Sequence, residues 1–176
     1  MPPCHVEAAL YVPPCRELRT RGNHTMSNTI YRLKGVDYSV PRTYFVTLCL
    51  KGRARTFSGE RAAKTVSSVV MEFRAKGFYY LYVYCVMPDH VHILLRTTPN
   101  APSLSLLVAT LKRSIHWRCR LIGIDVKWQS GFYDRVVRDY EHRSNFVNYV
   151  LMNPVRAGIV NSLGDYPYCA KVDPWW

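Results

Sequence analysis

His90-Val91-His92 lies in an apolar run that reads as a β-strand, and alternate residues of a strand project from one face. Both imidazoles can then converge on one ion while Val91 points into a core. The same pair also fits two exposed histidines on a half-buried strand. Tyr149 and Asn153 stand four residues apart near the end of a helical stretch, so a phenol and an amide share one helix face. An amide oxygen can complete a site begun by two neutral imidazoles. Such a set leaves coordination positions open, which suits Mg²⁺ or Mn²⁺ holding a phosphate oxygen better than a closed zinc site. Tyr149 beside that ion is a candidate nucleophile toward phosphorus, giving a covalent phosphotyrosine. With 13 tyrosines in the chain, it equally fits a packed helix residue with its hydroxyl at the surface.

The elements that must carry these groups follow from pattern. Tyr44 to Leu50 is short, aromatic and β-branched, hence a strand; Phe78 to Val86 and His90 to Arg96 read as two more strands joined by a turn at Met87-Pro88-Asp89. Apolar Ala62, Val66, Val69, Val70 and Phe73 recur at three and four, predicting a helix from Gly59 to Lys76 that Gly77 ends. A second helix, capped by Ser103 or Ser105, carries Leu104, Leu107, Val108, Leu111, Ile115 and Ile122 on its apolar face. Phe132 to Arg138 returns as a strand. Asp139 is placed to cap a last helix from Tyr140 to about Met152, which Pro154 and Gly158 stop. The order β-α-β-β-α-β-α predicts an α+β, ferredoxin-like antiparallel sheet with helices packed on one face.

The chain of 176 residues is the size of one domain, and 48% apolar residues suffice for one core. Residues 1–30, with four of the prolines and no sustained periodicity, read as an N-terminal extension, disordered in part. Residues 31–165 form the expected domain and 166–176 a tail. Cys4, His5, Cys15 and His24 match no common zinc spacing. No apolar stretch approaches the roughly 20 residues a membrane span needs, and no signal peptide is evident, so the expected location is cytoplasmic. Lys and Arg number 24 against 12 Asp and Glu, a formal charge of +12 that favours polyanionic partners, nucleic acid first.

Three segments taken together resemble a known family: Tyr82-Val83-Tyr84-Cys85-Val86-Met87-Pro88-Asp89-His90-Val91-His92-Ile93-Leu94; Trp128-Gln129-Ser130-Gly131-Phe132-Tyr133-Asp134-Arg135; and Tyr149-Val150-Leu151-Met152-Asn153-Pro154-Val155-Arg156-Ala157-Gly158. They are similar to the single-tyrosine HUH transposases, with the REP-associated tyrosine transposases as the nearest branch, over about residues 31–170. The resemblance implies a metal-dependent endonuclease and strand transferase that cuts and rejoins single-stranded DNA beside hairpins formed by palindromic repeats. By that likeness His90 and His92 correspond to the HUH metal ligands, Asn153 to the third, amide ligand, and Tyr149 to the nucleophile that takes the 5′ phosphate. The expected cofactor is Mg²⁺ or Mn²⁺, and the expected partner is single-stranded or hairpin DNA, bound by a monomer or a homodimer.

Lys112, Arg113, Arg118, Arg138 and Arg156 are candidate DNA-binding residues, with Arg120, Arg135 and Arg143 as further cations; each also fits a solvated helix face. Phe78, Tyr80, Tyr82 and Tyr84 share one face of an ideal strand, where burial under helices competes with base stacking. No general base for Tyr149 stands out, and Glu141 and His142 read as first-turn surface groups. A replication or conjugation nickase of the same superfamily would need a larger partner domain than 176 residues leave room for. The other competing reading is a non-catalytic, domesticated hairpin-binding protein.

Overall fold

The computed structural model describes residues 40–138 and 143–174, and its centre is a five-stranded antiparallel sheet in the order β4-β1-β3-β2-β5. The strands are β1 (Thr43–Cys49), β2 (Tyr79–Met87), β3 (His90–Thr97), β4 (Tyr133–Val137) and β5 (Cys169–Lys171). The helices are α1 (Glu60–Ala75), α2 (Leu104–Leu121), α3 (Arg143–Leu151) and the single turn α4 (Asn153–Arg156). The first four strands, α1, α2 and α3 fall where the apolar runs and helical spacing predict them. The extension over 1–30, the Asp139 cap, Glu141 and His142 lie outside the described residues.

Alternation decides what each face of the sheet meets. Tyr44, Val46 and Leu48 of β1 and Val91, Ile93 and Leu95 of β3 pack with Val66, Val69, Val70 and Phe73 of α1 and Leu107, Leu111 and Ile115 of α2. Those two helices share one face, as expected. The other face presents Phe45, Val83, Cys85, Met87 and Leu94, which are also apolar and also require cover. Phe146, Val147 and Val150 of α3 supply it, so the last helix sits opposite the first two.

Helix ends follow backbone chemistry more than side-chain caps. Ser103 occupies the N-cap of α2 but makes no capping hydrogen bond through its side chain. At the far end of α1, Gly77 takes φ +75, which lets the Phe78 amide reach back to the Phe73 carbonyl at 3.3 Å.

The pairing of β2 with β3 slips between Leu81 and Val83, leaving Tyr82 as an extra residue. At this bulge Tyr82 packs on the α3 side, whereas Tyr84 packs on the α1–α2 side, so Phe78, Tyr80, Tyr82 and Tyr84 do not share a face. Residues after 166, expected as a tail, repair the irregularity by forming β5. The amides of Val172 and Asp173 donate to the carbonyls of Tyr82 (3.0 Å) and Leu81 (2.7 Å), while the Leu81 amide donates to Asp173 Oδ2 (2.7 Å). Arg74 of α1 pairs with the same carboxylate, which is buried.

On α2, the Lys112 ammonium donates to the carbonyls of Gln129 (3.0 Å) and Gly131 and lies over the Trp128 ring, 5.5 Å from its centroid. Trp128 returns a hydrogen bond from its indole nitrogen to the Lys112 carbonyl, 3.0 Å. Lys112 thus pins the segment leading into β4. No helix among the described residues is long and apolar enough to cross a membrane.

Two outcomes are expected. The hydrogen bond to Arg74 holds the Asp173 carboxyl below its ordinary value of 3.8 despite burial, with the Leu81 amide and the Arg74 charge adding to it. The ionised form therefore stabilises the fold above pH 4, and that part is lost as pH falls through the depressed folded value. Asp173→Ala should lower unfolding free energy by about 1–3 kcal/mol at pH 7, with the gap to the parent narrowing in urea titrations below pH 4. Burial pushes Lys112 down to about 8. The unfolded chain then binds more protons than the folded one between about pH 8 and the ordinary lysine value near 10.4, so stability contributed by this group rises across that window. Urea midpoints at pH 7, 8, 9 and 10 should show a rise in the parent that Lys112→Met lacks; equal slopes in both proteins would remove this assignment.

Candidate active site

The β1–β3 register places Thr47 opposite His92 and Cys49 opposite His90, with both imidazoles on the face that α3 covers. Both histidines are buried. Their Nε2 atoms approach to 3.0 Å, with ring centroids 4.5 Å apart at 79°. The convergence expected of i and i+2 on a strand is realised, and Val91 enters the core on the other side.

Each ring is held at its other nitrogen. His90 Nδ1 lies 2.6 Å from Asp89 Oδ1, and His92 Nδ1 lies 2.9 Å from Thr47 Oγ1. Asp89 Oδ2 in turn meets Arg53 Nη2 at 2.7 Å. Burial works against the Asp89 carboxylate, but the hydrogen bond and electrostatic influence of His90 and the charge of Arg53 outweigh it and hold its pKa below the usual value. An ionised carboxylate only accepts, so the Nδ1 of His90 carries a proton. Burial first, then the electrostatic influence of His90 and Arg53, holds His92 well below 6.5 and therefore neutral.

Tyr149 projects from α3 over these rings. Its ring is 5.8 Å from His92 at 70° and 5.9 Å from Phe45 at 83°, while Phe45 stacks on His92 at 5.3 Å. Phe146, one turn earlier on α3, packs on Phe45 at 5.8 Å and seats the helix. The Arg156 guanidinium of α4 lies 5.0 Å from the Tyr149 centroid. Burial raises the Tyr149 phenol above its ordinary value of 10, and the Arg156 charge opposes that rise.

Asn153 adjoins Tyr149 as i+4 spacing requires, and its Nδ2 donates to the Tyr149 carbonyl at 2.8 Å. This bond fixes the amide and leaves Oδ1 as an acceptor. After α4, Gly158 takes φ +65 and the Ile159 amide returns to the Pro154 carbonyl at 2.9 Å, ending the helical path. Among the described residues, no three His, Cys, Asp or Glu side chains gather to hold a metal ion. The donor chemistry fits a hard divalent ion with open positions only if an amide oxygen joins the two imidazoles, and Asn153 offers one.

The candidate cations divide by face. Lys112, Arg113 and Arg118 belong to α2, across the sheet from the histidines. Lys112 is committed to backbone carbonyls, Arg118 pairs with Glu72 of α1, and Arg113 is exposed. Arg156 stands at Tyr149. Arg135 lies over Phe146 at 5.3 Å, on the same side, and Arg138 is exposed just past β4. Thr47 and Arg53 carried no motif signal, because a cross-strand neighbour and a loop contact depend on register. Asp89 directly precedes His90 and read only as a turn residue.

Comparison with known proteins identifies the family. The sequence profile described as "Transposase IS200 like" matches residues 40–150. A candidate REP-associated tyrosine transposase of Haemophilus influenzae is 25% identical over 143 residues, covering 75% of this chain and 81% of that protein. The REP-associated tyrosine transposase of Escherichia coli K12 is 23% identical over 126 residues, covering 72% and 74%. The solved structure of a REP-associated tyrosine transposase bound to a REP hairpin superimposes with a TM-score of 0.63 at 19% identity, over 79% of this chain and 80% of that one. That likeness establishes the shared α+β fold. The matched profile spans β1 to α3, from the strand that carries Thr47 to the helix that carries Tyr149, and the chain belongs to the IS200-like transposase family.

Proposed function

We propose that this chain cleaves and rejoins single-stranded DNA at hairpin-forming palindromic repeats, with Tyr149 as nucleophile and Mg²⁺ or Mn²⁺ held by His90, His92 and the Asn153 amide oxygen. The observation that carries the proposal is the Tyr149 ring packed 5.8 Å from His92, beside two imidazoles whose Nε2 atoms converge to 3.0 Å. Support for the substrate comes from the relatives: two bear the name of REP-associated tyrosine transposases, and the solved relative holds a REP hairpin. The formal charge of +12 suits a polyanion.

When bound, the ion supplies polarisation of the scissile phosphate. The chain's own residues do the rest. The Tyr149 hydroxyl gives up its proton as its oxygen attacks phosphorus, the bond to the 3′ oxygen breaks, and that oxygen takes up one proton and leaves as a hydroxyl, with no net proton gained or lost. The 5′ phosphate stays on Tyr149 as a phosphodiester. In the reverse sense a 3′ hydroxyl attacks the phosphotyrosine and restores the phenol, so no nucleotide hydrolysis is required. Arg156, beside the ring, stabilises negative charge on the phenolic oxygen against the burial that raises its pKa. Phe45 and Phe146 hold the α3 face so that the hydroxyl meets the phosphate from one direction.

A 3′-end-labelled hairpin oligonucleotide with single-stranded flanks, incubated with Mn²⁺ and resolved on a denaturing protein gel, should carry label to the mass of the protein. Tyr149→Phe removes one oxygen and should abolish the adduct, a loss of at least a thousandfold in rate, while hairpin affinity measured by anisotropy stays within about twofold. Tight hairpin binding with neither adduct nor cut in the parent protein would instead support a non-catalytic hairpin-binding protein.

A further inference from the structure

The segment that follows β1 wraps the turn from which His90 emerges. Leu50 donates its amide to the Asp89 carbonyl at 3.0 Å, and Phe57 donates to the Pro88 carbonyl at 2.9 Å. Between these two anchors the chain makes a tight turn through Lys51, Gly52 and Arg53, and Arg53 adopts φ +60. Among the described residues it is the sole non-glycine at positive φ, a region L side chains enter at a cost. A second cost accompanies it, since Nη1 of Arg53 is buried without a hydrogen-bond partner. Its other terminal nitrogen, Nη2, makes the 2.7 Å contact with Asp89 Oδ2.

A turn selected for stability alone would place glycine at 53, as it does at 52. The arginine is explained by what its guanidinium does. Asp89 has two oxygens, one on Arg53 and one on His90 Nδ1, so the arginine fixes the plane of the carboxylate and the carboxylate fixes the plane and tautomer of the imidazole. With the proton on Nδ1, the lone pair of Nε2 points toward His92 and the space under Tyr149.

We propose that Arg53 and Asp89 are positioning residues for His90, a relay in which the strained arginine orients the carboxylate that locks His90 as a ligand through Nε2. Carboxylates behind metal-bound histidines act in this way generally, by setting ring orientation and raising ligand basicity. The affinity part of this inference rests on the metal reading above; the tautomer part does not.

The test uses the full chain in two readouts. Long-range ¹H–¹⁵N correlation spectra of uniformly ¹⁵N-labelled protein without metal report which His90 nitrogen carries the proton, and calorimetry with Mn²⁺ alone reports affinity. In the parent, His90 should be protonated at Nδ1. Asp89→Ala should release it to the Nε2-protonated form and weaken Mn²⁺ binding by about 10- to 100-fold, as loss of such partners does. Asp89→Asn, which keeps an acceptor oxygen, should recover the tautomer. Arg53→Gly accepts φ +60 without strain, so it should leave the thermal midpoint equal or higher while weakening Mn²⁺ binding about tenfold. A purely structural role reverses that pattern: Arg53→Gly unfolds earlier, with His90 tautomer and affinity unchanged, and the proposal fails. Should Asp89→Ala not fold, Arg53→Gly alone decides. Absence of Mn²⁺ binding in the parent would end the metal reading, while the His90 tautomer in parent and variants would still decide the relay.

Discussion

The register between β1 and β3 governs everything the candidate site requires. Pairing Thr47 with His92 and Cys49 with His90 puts a hydroxyl beside one imidazole and sends both rings to the side away from α1 and α2. Because side chains alternate with period two, a slip of one residue would drive the histidines into the core and bring Val91 out under Tyr149. The alternation on β1 resists such a slip from both directions. Tyr44, Val46 and Leu48 are matched to α1 and α2, whereas Phe45 is matched to Phe146 and Tyr149. Packing on either face thus enforces the same register, and the geometry of the two imidazoles rests on that packing as well as on their hydrogen bonds to Asp89 and Thr47.

That coupling explains why so much was legible from residue types. The short aromatic and β-branched run of β1, the apolar run of β3 and the three-and-four spacing of Val66, Val69, Val70 and Phe73 are strong signals because the strands are buried on both faces and the helix on one. His90, His92 and Tyr149 are brought to one face as strand and helix spacing require. The likeness of three segments to the single-tyrosine transposases agrees with the family to which the chain belongs. What escaped is what depends on tertiary contact. The three residues of β5 are too few to show a period, and their position follows from the Tyr82 bulge that they repair. The bulge itself lies in an unbroken aromatic run, where an ideal strand predicts one shared face.

The basic residues teach the same lesson from electrostatics. Composition counts cations without saying where each charge is compensated. Lys112 and Arg118 sit on a helix that looked like a phosphate-tracking surface, yet their charges are met internally by backbone carbonyls and Glu72. Arg53, in a loop run that gave no signal, is the cation adjoining the histidines, and Arg156 adjoins the tyrosine. A cation's neighbours across the fold decide its role more than its spacing along the chain.

The polar groups of the site form one continuous chain, Arg53–Asp89–His90–His92–Thr47, in a largely apolar setting of Phe45, Phe146 and Val150. Leaving such buried groups unpaired is costly, so the proton positions along the chain are linked. Arg53 donates to Asp89, which therefore accepts from His90 Nδ1 and leaves His90 Nε2 as a lone pair. At 3.0 Å, the facing Nε2 of His92 must then carry a proton, and the Thr47 hydroxyl must donate to His92 Nδ1. Were His92 to hold a cation through Nε2 as proposed, only the last two links would reverse: that nitrogen would lose its proton to solvent, Nδ1 would become the donor, and the Thr47 hydroxyl would accept. The strand-borne threonine can serve in either state because a hydroxyl both donates and accepts, whereas the carboxylate behind His90 permits one state alone. The site therefore has a fixed side and an adaptable side, and the asymmetry originates in which residue, aspartate or threonine, the fold places behind each imidazole.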